Sequence, residues 1–262
     1  MDKKNYLTRH EQMVFSTIKK TDIIDNSLIK KIFPNYSFQQ LNKITYSLMS
    51  KGYLYPLKRG TYIVNETPSE TPLIHNPFTI APYINKGYIG FSSALRIYDL
   101  ISYEPFTIFI VTPKKSQELE IGNYVFKTVS LGEKATGAIF YNNVYVSNIE
   151  KTFFDCFYKP QYAGGYREII KAFSNRPNVQ WDLLLHYFER FASKALFQRS
   201  GYILELLTEQ DIIHPPHSFL KKFRTHIGNT TRLLSQHRSK GTYNKQWKLI
   251  DNVGKETLLS EV

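Results

Sequence analysis

The chain carries one cysteine, Cys156, in 262 residues. A lone thiol excludes an intramolecular disulfide and a multi-cysteine zinc site, and it fits a reducing cytosol. In "EKTFFDCFYK" it falls among aromatics on a helical pattern, so a buried thiol is expected rather than a nucleophile. Long apolar runs are also missing. No stretch approaches the roughly 18 apolar residues of a membrane span, and "MDKKNYLTRHEQ" lacks the apolar region of a signal peptide. A cytoplasmic protein with no membrane partner is the expectation.

Enzymatic signatures are equally scarce. G-x-S-x-G, H-E-x-x-H and P-loop patterns are absent, so no catalytic residue, cofactor or metal is expected. His214 and His217 of "HPPH" have no cysteine pair beside them, and Pro215 and Pro216 interrupt any helix that would align the two rings. A metal-dependent nuclease needs clustered carboxylates and a lysine beside the scissile phosphate. The thin candidate is "TPKKSQELEIGNY", with Glu118, Glu120, Lys114 and Lys115, which reads equally as a solvated loop between strands.

What the chain does have is positive charge and aromatic bulk. Its formal charge is +12, and it holds 19 Tyr and 18 Phe. Such a balance favours a polyanionic partner, and the length favours two domains with sizeable cores. Residues 1–70 hold 11 basic and 6 acidic residues, while 221–262 hold nine and three, including Lys221, Lys222, Arg224, Arg232 and Arg238. That C-terminal excess reads as a nucleic-acid surface or as a solvated helix face.

Apolar spacing predicts a first helix in "RHEQMVFSTIKK", with Met13, Val14 and Ile18 inward. A short second helix follows in "DNSLIKKIFP", capped at Asp25 or Asn26, with Leu28, Ile29 and Ile32 as its face and Pro34 as its stop. In "NYSFQQLNKITYSLMSKG", Ser37 is the cap, Leu41, Ile44, Thr45 and Leu48 face inward, and Gly52 takes the left-handed position after the end. Gln39, Gln40, Asn42, Lys43 and Ser47 lie on the more polar side, where amides suit adenine and lysine suits guanine. A hairpin, "YLYPL" and "TYIV" around "KRG", comes next. Three helices and a hairpin are the order of a winged helix-turn-helix, whose wing tip would set Lys58 and Arg59 against phosphate. The expected DNA contacts are Ser37, Gln39, Gln40, Lys43, Ser47, Lys58, Arg59 and Thr61. A solvated hairpin tip and a protein-binding winged helix remain as alternatives.

"NETPSETPLIHNP" reads as an exposed linker, dividing the chain into domains 1–71 and 72–262. Beyond it, "FTIAPYINKG" and "SSALRIYDLI" predict helices, the second capped at Ser92. "FTIFIVTP", "YVFKTVSL", "GAIFY" and "NVYVSN" predict strands, and the chain turns helical from residue 149. The expected class is α+β, an N-terminal winged helix followed by a larger α+β domain with a mixed sheet and a helical layer. Asn148 reads as a cap, Glu150 as a helix-dipole partner, Phe153, Phe154 and Phe157 as core, and Gly164 and Gly165 as a tight turn. Arg199 reads as a phosphate ligand or as the partner of Glu205 or another carboxylate.

The segments "GYLYPLKRGTYIV", "YIGFSSALRIYDLI", "SNIEKTFFDCFYKPQYAGGYREIIKAF", "QRSGYILELL" and "YNKQWKLIDN" resemble the AbiEi family in that family's order, over roughly residues 8–252. These are antitoxins and transcriptional regulators of abortive-infection, type IV toxin-antitoxin systems. The resemblance implies a winged helix that binds inverted repeats in double-stranded promoter DNA as an autorepressor. It also implies a C-terminal domain that counteracts a nucleotidyltransferase-like toxin, without need of a stable complex. Glu150, Lys151 and Thr152, Gly164 and Gly165, and Arg199 are the positions it marks in that domain. The alternative function is the metal-dependent nuclease, targeted to DNA by the same winged helix.

Overall fold

The computed structural model describes residues 6–175, 177–235 and 240–260. Arg238 of the basic C-terminal stretch lies outside them. The chain divides into two compact units. One comprises Met1–Lys86 with Phe106–Ile108 and Gln117–Thr128, and the other holds the remainder. The boundary read near residue 72 lies within the first of these.

In the first unit, Thr8 opens helix α1 (Arg9–Ile18) through a capping box with Glu11. The buried stripe runs through positions 11, 14, 15 and 18. Met13, expected inward, is 45% exposed, since position 13 is turned about 100° away from position 14. Strand β1 (Ile23–Asp25), absent from the sequence-based expectation, comes directly before α2 (Asn26–Ile32), which Asp25 caps. Only Ile29 of α2 is buried; Leu28 and Ile32 are exposed. Helix α3 (Phe38–Ser50) buries Leu41, Ile44, Thr45 and Leu48 as its spacing predicts. Gly52 then turns with φ +77°, where a Cβ would collide with the Ser69 backbone at 2.8 Å.

Strands β2 (Leu54–Lys58) and β3 (Thr61–Val64) form the hairpin, and the sheet order is β1-β3-β2. Because β2 is an edge strand, it accommodates Pro56, which has no N–H to donate. Val14, Ile18, Ile24, Ile29, Leu41, Leu48 and Leu54 meet beneath these elements. The stretch read as a linker is tied down at Asn65, which is buried, donates to the Gly52 carbonyl at 2.9 Å and accepts the Leu73 N–H at 3.1 Å. Helix α4 (Pro77–Ile84) follows, capped by Asn76.

A six-stranded mixed sheet is built from β4 (Tyr88–Ile89), β5 (Thr107–Thr112), β6 (Gln117–Ile121), β7 (Tyr124–Ser130), β8 (Ala138–Tyr141) and β9 (Val144–Ser147), in the order β6-β7-β5-β4-β9-β8. β4 and β9 run parallel; the hairpins β6-β7 and β8-β9 are antiparallel. The "ELE" segment is therefore strand β6, not a loop: Glu118 lies opposite Lys127 in the ladder and pairs with it at 2.8 Å. Helix α5 (Phe91–Ile97) begins after Gly90 rather than at a Ser92 cap, and Ser92 is buried.

The helical part of the second unit comprises α6 (Ile149–Tyr158), α7 (Tyr166–Ser174), α8 (Trp181–Phe191), α9 (Lys194–Glu209) and α10 (His217–Thr225). They close around aromatics. Phe153 stacks on Phe173 at 3.8 Å between centroids, and Phe154, Phe157, Phe188 and Phe223 are buried beside them. Each such ring contributes about 1.5–3 kcal/mol of burial energy. A small sheet, β10 (Arg232–Leu233), β11 (Thr242–Asn244) and β12 (Leu249–Asp251) in the order β10-β12-β11, precedes α11 (Lys255–Leu259). Trp247 is fully buried against Gly201 of α9, where even a methyl group would lie 2.0 Å from the indole. The architecture is α+β, and no helix among the described residues is long and apolar enough to cross a membrane.

Candidate nucleic-acid interface

Helix α3 has one buried face and one outward face, and its sequence contains no Asp or Glu. Gln39, Asn42, Lys43 and Tyr46 are all exposed, and their spacing of i, i+3, i+4 and i+7 places them on one stripe. Tyr46 is 71% exposed, so a large aromatic ring stands in solvent beside two amides and an ammonium. Sequence reading included Asn42 on the polar side and passed over Tyr46. Its signal was position: it falls two residues after inward Ile44, off the apolar stripe.

Three expected contacts on this helix have structural work instead. The Ser37 hydroxyl accepts the Gln40 N–H at 3.2 Å, and the Gln40 side-chain Oε1 accepts the Ser37 N–H at 2.8 Å. This capping box satisfies donors that the helix start would leave unpaired. Ser47 is half-buried and hydrogen-bonds Glu11. That carboxylate also accepts from Lys51 at 2.6 Å.

At the hairpin tip Lys58 lies opposite Thr61, so the turn consists of Arg59 and Gly60. Gly60 adopts φ +74°, and its carbonyl accepts the Asn26 N–H at 2.9 Å, fastening the tip to the start of α2. Lys58 and Arg59 are exposed, and the Lys58 ammonium lies 5.7 Å from the Tyr83 ring centre. Thr61 is a correction: it is 4% exposed. It sits on the central strand, paired with Lys58 on one side and Asp25 on the other, and cannot reach a ligand.

In the second unit the marked residues fall into two places. Asn148 caps α6 by accepting the Lys151 N–H at 2.8 Å. Glu150 is buried and accepts the Gln180 N–H at 2.8 Å, a structural role. Lys151 is fully buried, ion-paired with Asp155 one turn on, and donates to the Tyr88 hydroxyl at 3.1 Å. Burial pushes the Lys151 ammonium down, with the Asp155 charge working against that shift. It likewise raises Asp155 to about 6 against the opposing pull of Lys151 and Tyr88. Thr152 donates to the Asn148 carbonyl at 2.8 Å. "EKT" therefore anchors a helix start and a buried ion pair.

Gly164, Gly165 and Arg199 meet elsewhere, at a cleft of about 760 Å³. The two glycines take φ +84° and +93°, a turn that other residues rarely adopt. Arg199 donates to the Leu233 carbonyl at 2.8 Å and does not pair with Glu205. Glu205 is held by Arg224 and by the Trp247 indole N–H at 2.7 Å. His214 lies 3.6 Å from Asp211, and His217 opens α10. Among the described residues no three His, Cys, Asp or Glu side chains gather to hold a metal.

The fold occurs in a solved protein. The crystal structure of RV2827C protein from Mycobacterium tuberculosis superposes with a TM-score of 0.70 over 98% of this chain and 95% of that one, at 12% identity. At that identity the likeness is one of fold alone. No protein-family model and no curated protein matches the chain.

Proposed function

We propose that residues 8–64 form a winged helix-turn-helix that binds double-stranded DNA, and that the protein is an autorepressor and antitoxin of the AbiEi kind. The observation that supports this most is the outward stripe of α3: two amides, an ammonium and an aromatic ring on a helix without acidic residues. In this reading α3 lies in the major groove. Gln39 and Asn42 present amides to base edges, Lys43 meets guanine or phosphate, and Tyr46 contacts base or backbone. The hairpin is the wing, with Arg59 as its phosphate contact and Lys58 beside it. The inverted repeats of the promoter, and the role of the second unit against a nucleotidyltransferase-like toxin, rest on the resemblance of the quoted segments.

The test is a titration of the full chain against its own upstream promoter and a scrambled duplex at two salt concentrations. Tighter, salt-sensitive binding to the promoter is expected. Lys43→Ala combined with Arg59→Ala should reduce the slope of log K against log salt by about 2, since each phosphate contact contributes roughly 0.9. Gln39→Ala and Asn42→Ala should weaken promoter binding and leave scrambled DNA unaffected. Equal affinity for both duplexes, or an unchanged slope in the double variant, would refute the reading. Co-expression with the product of the neighbouring gene then tests antitoxicity, with rescue of growth as the expected result.

A further inference from the structure

Strand β8 (Ala138–Tyr141) is an edge of the six-stranded sheet, and all four of its residues are exposed. Sheet edges are ordinarily guarded by charge, proline, a bulge or a covering segment. The opposite edge, β6, carries Glu118 and Glu120, and the edge strand β2 of the first unit carries Pro56 and Lys58. β8 has no such guard. Residues 137–148, "GAIFYNNVYVSN", contain no charged residue and no proline, and the register of β8 with β9 runs unbroken. On a chain of formal charge +12, this is a strip where two copies can approach without bringing like charges together.

The ladder fixes which backbone groups face outward. Asn142 and Asn143, at φ +47° and +64°, make the two-residue turn of the β8–β9 hairpin. The Gly137 carbonyl accepts the Asn148 N–H at 2.9 Å, and since bonding alternates along an antiparallel pair, Ile139 and Tyr141 also bond to β9. Ala138 and Phe140 therefore turn their N–H and C=O groups to the open edge. A second β8 added antiparallel must set such outward groups opposite each other. A two-fold axis at Phe140 does so, with Phe140 of one copy opposite Phe140 of the other. The side chains fit that register. Phe140 lies across from Tyr145 in the hairpin, with ring centres 5.4 Å apart and exposures of 64% and 56%, so two copies align four rings on this face. On the other face Ile139, 40% exposed, meets Tyr141 of the second copy, 42% exposed. These side chains offer on the order of 400 Å² per copy. That is less than the roughly 800 Å² per partner of a standard stable interface, and it suits a reversible dimer. We propose that β8 is a self-association surface, pairing antiparallel with β8 of a second copy of this chain.

The experiment is sedimentation equilibrium of the full chain, without DNA, over a range of concentrations. A reversible monomer–dimer equilibrium with a Kd on the order of 10–100 μM is expected from the modest area. Phe140→Lys and Phe140→Glu each place like charges at the axis, and each alone should weaken the dimer about tenfold or more. Because residue 140 meets itself, an equimolar mixture of the two variants should restore dimers, a rescue that a misfolded variant or a different contact does not give. Lys43→Ala with Arg59→Ala should leave the equilibrium unchanged, which separates this surface from the proposed DNA contacts. The proposal is overturned if the chain stays monomeric above that concentration range, which would leave the β8 edge to a different protein. It is equally overturned if both charged variants dimerise like the parent, or if their mixture stays monomeric.

Discussion

Replacing Glu11 by glutamine should loosen the first unit, and the loss should depend on pH. Glu11 lies in the first turn of α1 and is 6% exposed, yet it is ionised. Burial pushes its carboxyl up, but hydrogen bonds from Lys51, Ser47 and the Thr8 N–H, with the Lys51 charge, outweigh that and bring it to about 2 from an ordinary 4.5. Lys51 is the C-cap of α3, so one carboxylate joins the start of α1 to the end of the proposed recognition helix. The depressed pKa sets a ceiling of about 3 kcal/mol. Lys51 keeps some contact with solvent, which screens the pair, so a loss of about 1–2 kcal/mol is expected near neutral pH.

Because the folded-state pKa lies below the unfolded one, this stability is present above the unfolded value of 4.5 and is lost as pH falls toward about 2. Both tryptophans, Trp181 and Trp247, belong to the second unit, so their fluorescence does not report on α1. Amide hydrogen exchange in α1 and α3, corrected for intrinsic rates at about pH 7 and about pH 2.5, is the suitable assay. Glu11→Gln should lose protection at the higher pH and converge toward the parent at the lower. An equal deficit at both pH values, or none at neutral pH, would refute the ion-pair account.

Three further outcomes follow from the packing. Lys151→Met or Asp155→Leu alone should cost ~3–5 kcal/mol by leaving a buried charge unpaired, whereas the double variant should recover most of it, read by tryptophan-monitored urea unfolding. Gly201→Ala should destabilise the second unit and shift Trp247 emission, because the added methyl occupies the space of the indole. Thr61→Val should leave promoter affinity unchanged, as the side chain is buried in the sheet; a marked loss would mean that the hairpin opens on binding.

Much of the architecture was legible because its causes are local. Ser37, Asp25 and Asn148 cap the helices that follow them, and Gly52 takes the left-handed position expected of it. The chain turns helical after residue 148, as its pattern predicts, through α6 to α9. Short elements were not legible. β1 and β4 are three and two residues long, and they are strands only because β3, β5 and β9 lie beside them. Met13, Leu28 and Ile32 show the same limit from the other side, since apolar character does not say which of several helix faces will find a partner.

For the candidate sites, sequence alone determined the residue types available: an α3 without acids, cations at a hairpin tip, a glycine pair and a lone Arg199. Tertiary structure decided which of them remain available. It turned Thr61 inward, closed Ser37 and Gln40 into a cap, and set Ser47 against Glu11. It also joined Lys151 to Tyr88, 63 residues away. The physical reason is range. Capping and turn preferences act over a few residues, whereas burial and ion pairing depend on which distant segments the cores bring together.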